Sequence, residues 1–125
     1  MNKSGEFVSV IIPVYNEKSL INDAILETLE VLEKDFDKYE LIIVDDGSTD
    51  NTFEIISNYA DKNKNIIVLK HVNNQNLGSS LYDGFLKAAG EYLIFNSADL
   101  PLSPENIRTL LENNKPFDLL NIERR

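Results

Sequence analysis

Apolar positions gather along this chain in five short runs: "FVSVIIPV" (7–14), "ELIIVDD" (40–46), "NIIVLK" (65–70), "EYLIFN" (91–96) and "FDLLNI" (117–122). The runs are nearly continuous rather than alternating, the pattern of strands covered on both faces. The stretches between them repeat apolar residues at helical spacing: Ile21, Ile25, Thr28, Leu29 and Leu32; then Phe53, Ile56, Tyr59 and Ala60; then Leu77, Leu81, Phe85 and Ala88; and last Ile107, Leu110 and Leu111. Asn51 with Glu54 resembles a capping pair, and Ser103-Pro104-Glu105 supplies an N-cap, a first-turn proline and a first-turn acid. Strand alternating with helix predicts right-handed crossovers and an α/β fold, an open, doubly wound sheet of four or five parallel strands with helices on both faces. No repeat, low-complexity tract or linker interrupts residues 1–125, so a single domain is expected.

Sheets of this kind bind ligands beyond the carboxyl ends of their strands, which directs attention to four short segments. The first strand ends in "PVYNE", where Tyr15 offers a flat ring to a base and Asn16 and Glu17 either bond an amide edge or begin a helix. The second ends in "VDDGSTD". Asp45 and Asp46 follow a buried apolar strand, and two adjacent carboxylates there cost solvation unless they are paired, hydrogen-bonded or turned to a ligand. Gly47 permits the turn, and Ser48, Thr49 and Asp50 can cap the next helix. Turn and cap leave the carboxylate pair itself unaccounted for.

The third strand leads into "HVNNQNLGSSLYDG", where Gly78 either lets backbone approach a phosphate or simply opens a helix. His71 is the only histidine, with no recognisable partner; it is expected at the surface or in packing, without a role in the site. The fourth strand ends in "FNSADLP", where Asp99, with Asn96 or Ser97 nearby, is either a ligand for Mg²⁺ or Mn²⁺ or a solvated turn residue before Pro101.

Charge narrows the partners. Twelve basic against twenty-one acidic residues give a net charge of −9, which repels nucleic acid and anionic membrane surfaces. An anionic ligand must then be held by backbone N–H groups, a helix N-terminus or a divalent cation. The absence of cysteine excludes disulfides and thiolate chemistry. With no apolar signal core in "MNKSGEF" and no run long enough to span a bilayer, a cytoplasmic location is expected.

Taken together, "VSVIIPVYNE", "LIIVDDGSTD", "NLG" and "GEYLIFNSADL" resemble the nucleotide-binding half of the inverting family 2 glycosyltransferases with the GT-A, Rossmann-like fold. "ADLPLSPENI" and "FDLLNIERR" are most similar to the branch that transfers a sugar to a polyprenyl phosphate. The resemblance implies that Pro13, Tyr15, Glu17, Asp45 and Asp46, with Gly78 and Ser97, surround a nucleotide-sugar donor carrying UDP or GDP. It also implies that Asp99 holds a divalent cation, Mg²⁺ or Mn²⁺, and that Arg124 falls on that branch's arginine.

Two departures stand out. Ser97 replaces the first acid of the Asp-x-Asp motif, and a hydroxyl is a weaker ligand for a hard cation than a carboxylate. The family's acceptor-binding half and its catalytic carboxylate are missing, so no catalytic residue is assigned. The later antiparallel strand of the family sheet is missing too, which implies an exposed sheet edge open to self-association or a partner chain.

Three readings follow: the donor half of a glycosyltransferase, peripheral at the membrane through its acceptor or a missing C-terminal region; a non-catalytic nucleotide-binding or interaction module; and a phosphoacceptor signalling domain. The last places its acid pair after the first strand, and here the pair follows the second.

Overall fold

A computed structural model describes residues 4–98 and 121–123. Strands β1 (Ser4–Val14), β2 (Phe36–Asp45), β3 (Ile66–Lys70), β4 (Tyr92–Phe95) and β5 (Asn121–Glu123) form one sheet in the order β3-β2-β1-β4-β5. Helices α1 (Ile21–Asp35), α2 (Thr52–Lys62) and α3 (Leu77–Lys87) make the connections among β1 to β4. The fourth expected helix, from Ser103 through Leu111, lies outside the described residues, as do Asp99, Pro101 and Arg124.

The sheet is doubly wound because its strands are apolar on both sides. Val8, Val10, Ile12 and Val14 of β1 face α1 and α2, whose stripes of Ile21, Ile25, Leu29, Leu32 and Ile56 complete one core. Ile11, Ile42, Val44 and Leu93 turn the other way, against Leu81, Phe85 and Ala88 at α3. Gly84 brings that helix close: a Cβ built there would lie 2.6 Å from Ile11 Cγ2, inside van der Waals contact. Leu77, expected in the α3 stripe, is instead 62% exposed, at the first residue of the helix.

Two expectations are corrected. The first concerns the sheet edge: Asn121–Glu123, at the end of the fifth run, form a strand antiparallel to β4, with Tyr92 paired to Glu123 and Ile94 to Asn121. The chain therefore supplies its own antiparallel strand, and the outer edge of β4 is covered rather than exposed. The second correction concerns the helix α2 cap. Asn51 occupies the N-cap position without a side-chain bond, while Asp50 Oδ1 accepts from Thr52 N (2.9 Å) and Thr52 Oγ1 (2.5 Å). Asp50, one residue earlier, is in reach because its side chain folds forward over the first turn.

Parallel register positions the strand ends. Val14 pairs with Asp45, and Asp45 with Lys70, so the loops after β1, β2 and β3 leave the sheet at one level. Strand β4 reaches only to Ile11 of β1, so Asn96 and Ser97 emerge lower down its flank.

Candidate nucleotide site

The β1–α1 and β2–α2 loops are bolted together by Asn16. It adopts the left-handed region (φ 50°), its Oδ1 accepts from Thr49 N (2.7 Å) and Asp50 N (3.3 Å), and its own N–H donates to Ser48 Oγ (2.9 Å). Asn tolerates that backbone conformation better than other side chains. Glu17 N donates to Thr52 Oγ1 (2.9 Å), a second tie between the same loops. Asn16 is thus a clamp between loops rather than a group offered to a ligand.

The β3–α3 loop lies across the second turn. Gly47 has φ +81°, and a Cβ there would meet Asn74 N at 2.6 Å and the Asn73 carbonyl carbon at 2.7 Å, so backbone passes where a side chain would stand. Asp46 fastens that loop. Its Oδ1 accepts from Gln75 N (2.8 Å) and lies 2.7 Å from His71 Nδ1, and its Oδ2 accepts from Asn76 N (3.1 Å). The carboxylate that turn chemistry left unexplained is therefore satisfied by the protein itself.

Asp45 differs from its neighbour. It is wholly buried, Oδ1 accepts from Ser48 N (3.0 Å), and Oδ2 has no hydrogen-bond partner in the protein.

Between these loops opens a cavity of about 230 Å³. Pro13, Tyr15 and Glu17 form its β1 side, Asp46 lies beneath, and Asn76, Leu77 and Ser80 close it from α3. The Tyr15 ring is 43% exposed, an available flat face. Ser80 Oγ is fully buried and has no hydrogen-bond partner in the protein, although it lines this space. A hydroxyl in that condition costs free energy in the folded chain.

Of the residues implied by the resemblance, Pro13, Tyr15, Glu17 and Asp46 meet at the cavity, while Asp45 sits beside it in the core without lining it. Gly78 is in the first turn of α3, behind Asn76, whose Oδ1 caps the helix through Ser79 N (2.8 Å); it opens the helix and does not line the cavity. Ser97 is half-buried at the end of β4, away from the cavity lining. Asn96 turns inward, donating from Nδ2 to Thr28 Oγ1 (3.3 Å) and accepting from Ser97 N (2.9 Å), so its amide is engaged in the core. Among the described residues no group of three or more His, Asp or Glu side chains is placed to hold a metal. The described donors therefore do not by themselves fit a divalent cation.

His71 and Ser80 were not anticipated. Far from the surface, His71 is 8% exposed and lies between two carboxylates, with Nδ1 2.7 Å from Asp46 Oδ1 and Nε2 2.6 Å from Asp83 Oδ2. The hydrogen bond to Asp46 raises its pKa above the ordinary value, against the opposing effect of burial and with further help from Asp83. Register carried the signal: Asp45 pairs with Lys70, so the residues that follow, Asp46 and His71, stand side by side.

The geometry defines an α/β domain with a base-sized crevice at the carboxyl ends of a doubly wound sheet, between loops held rigid by their own side chains. Its sequence places it more narrowly: the chain belongs to glycosyl transferase family 2, whose pattern matches residues 9–115. The expected likeness to the polyprenyl-phosphate branch is borne out by a dolichyl-phosphate β-glucosyltransferase of Trichomonas vaginalis, 32% identical over 126 residues, covering 91% of this chain and 38% of that protein.

Among solved structures, S. aureus TarS (residues 1–349) in complex with UDP-GlcNAc is 30% identical with a TM-score of 0.68, covering 84% of this chain and 30% of that one. A mannosyltransferase from Pyrobaculum calidifontis in complex with GDP-Man and Mn²⁺ has a TM-score of 0.76 at 23% identity, over 93% of this chain and 34% of that one. That likeness identifies the fold as GT-A. The chain thus spans well under half the length of the relatives it matches.

Proposed function

We propose that residues 1–125 form a single donor-binding unit, the nucleotide half of a glycosyltransferase that moves a sugar from a UDP- or GDP-sugar to a polyprenyl phosphate. The observation that carries this reading is the cavity at the strand ends, where Pro13, Tyr15, Glu17 and Asp46 come together as lining. Its volume suits a nucleobase rather than a whole nucleotide sugar, so the base would enter against Tyr15 and the ribose and diphosphate would extend toward the end of β4. The UDP-GlcNAc bound by the TarS neighbour and the dolichyl phosphate in the relative's name support the donor and acceptor classes.

In this reading the residues of the chain hold the donor, and the acceptor phosphate, already anionic, needs little help from a base as it attacks the anomeric carbon. A divalent cation would supply charge stabilisation to the departing nucleoside diphosphate, and Asp99, which lies outside the described residues, is the residue that would hold it. The Mn²⁺ in the Pyrobaculum complex shows that a GT-A neighbour takes one. No helix among the described residues is long and apolar enough to cross a membrane.

Calorimetric titration of the chain with UDP and GDP, in Mn²⁺ and again in EDTA, tests the proposal. Binding in the micromolar to low millimolar range that weakens in EDTA supports it, and failure of both nucleotides to bind in either condition overturns it. Ser97 in place of an acid favours a second reading, a nucleotide-binding module without catalysis. Equal affinity with and without Mn²⁺ would select that one.

A further inference from the structure

His71 does not line the cavity; with Leu69, Asp83 and Leu86 it borders a separate open depression of about 400 Å³. Both of its ring nitrogens lie within hydrogen-bond distance of carboxylate oxygens, at 2.7 and 2.6 Å. A neutral imidazole has a single N–H, and an ionised carboxylate can only accept. With a neutral ring, one nitrogen lone pair would face an oxygen lone pair across that short distance. The arrangement is self-consistent when the ring carries both protons, each donated to one carboxylate.

The two carboxylates are not equivalent. Asp46 is 7% exposed and already bound to the Gln75 and Asn76 N–H groups, while the Asp83 side chain is 41% exposed on α3. Loss of a ring proton would release Asp83 to water and leave Asp46 its ties to the loop. The other charged neighbours are Lys70 and Lys87, which flank the same depression, and buried Asp45, whose carbonyl accepts from His71 N (2.8 Å).

We propose that Asp83 and His71 are a positioning pair for the nucleotide cavity: the imidazolium, held from α3, fixes the Asp46 carboxylate against the β3–α3 loop and cancels its charge beneath the ligand. This rests on the nucleotide reading for its purpose and on the apo geometry for its existence. An Asp46 neutralised from behind presents less repulsion to an anionic donor in a chain of net charge −9. Nucleotide affinity is then greatest with the ring protonated and falls as pH rises through its titration.

Two measurements on the whole chain test this separately. In the first, the His71 ring and the backbone amides of Gln75 and Asn76 are followed by NMR from pH 5 to 9, in the wild type and in Asp83→Asn. The ring should titrate above the usual histidine range, the two amides should move with the same midpoint, and Asp83→Asn should shift that midpoint down. An ordinary wild-type midpoint, amides that ignore the ring, or a midpoint unmoved by Asp83→Asn each overturns the proposal.

In the second, UDP and GDP affinities are compared at the two ends of that range. Wild type should lose affinity by about fivefold or more from the acid to the alkaline end. His71→Gln, which keeps a donor without the charge, should be weaker at low pH and should show only the pH dependence that the nucleotide's own terminal phosphate brings. A His71→Gln variant with the wild-type pH profile would overturn the pair. If neither nucleotide binds at any pH while the amides still follow the ring, the nucleotide reading fails and the positioning pair stands.

Discussion

Asp46 shows how one side chain can belong to both folding and ligand binding. Its two oxygens hold Gln75 N, Asn76 N and the His71 ring, so Asp46→Ala removes three partners at once. Buried hydrogen bonds to a charged group are worth about 1.5–3 kcal/mol each, less than additively in one network, so a loss of about 3 kcal/mol in urea denaturation is expected together with loss of nucleotide binding. Ser80→Ala should behave in the opposite manner. Its hydroxyl is buried with no protein partner to lose, so removing it should raise stability by about 1 kcal/mol in urea denaturation.

His71 adds a pH term to stability. With its folded pKa raised, mainly by the Asp46 hydrogen bond, the contribution is complete below the unfolded value of about 6.5 and is lost as pH climbs through the folded value. Denaturation midpoints should therefore decline from slightly acid to alkaline pH, and the decline should vanish in His71→Gln. At this scale the sequence was half legible. The two adjacent acids announced themselves, but which one faces the cavity depends on the β3–α3 loop that folds over Gly47. The partnership of His71 with Asp83, twelve residues away on a helix, depends on parallel register and has no local pattern.

Among the elements, the strands and the helices up to α3 were readable because buried parallel strands must be apolar on both faces and amphipathic helices must cover them. The ends were less so. Strand β2 begins at Phe36, well before the apolar run, because Phe36, Lys38 and Tyr39 pair with β1 although Lys38 is solvent-exposed. The direction of β5 was misjudged because a short apolar run carries no record of its orientation, which is set by the path of the preceding chain.

Helix α3 is the element most sensitive to a small change. Gly84→Ala would push against Ile11, and overpacking of this kind costs about 1–3 kcal/mol, measurable as a lowered denaturation midpoint. At the opposite end of the sheet, buried Glu40 accepts from Ser9 Oγ (2.7 Å) and Ala89 N (2.6 Å), which ties the turn after α3 back to β1 and β2.

For the whole molecule, the charge balance that excluded nucleic acid also works against the proposed ligand. A chain of net charge −9 repels a nucleotide at a distance, so raising monovalent salt from 20 to 200 mM, which shortens the Debye length, should leave nucleotide affinity unchanged or increase it. A steep loss with salt would instead reveal a basic patch steering the ligand. The doubly wound architecture, the order of α1 to α3 and the crevice at the strand ends follow from alternation alone. The covered edge of β4 does not, since it depends on residues 121–123 returning across the sheet.

That late return separates two events in the life of the chain. Every residue lining the cavity lies between Pro13 and Ser80, whereas β4 begins at Tyr92 and gains its outer neighbour only at Asn121. As the polypeptide leaves the ribosome from its amino terminus, the whole lining of the pocket emerges before the strand that flanks β1 on its other side. On the proposed donor reading, nucleotide binding to that early-emerging lining would favour the correct arrangement of β1, β2 and β3 while the rest of the sheet is still being made.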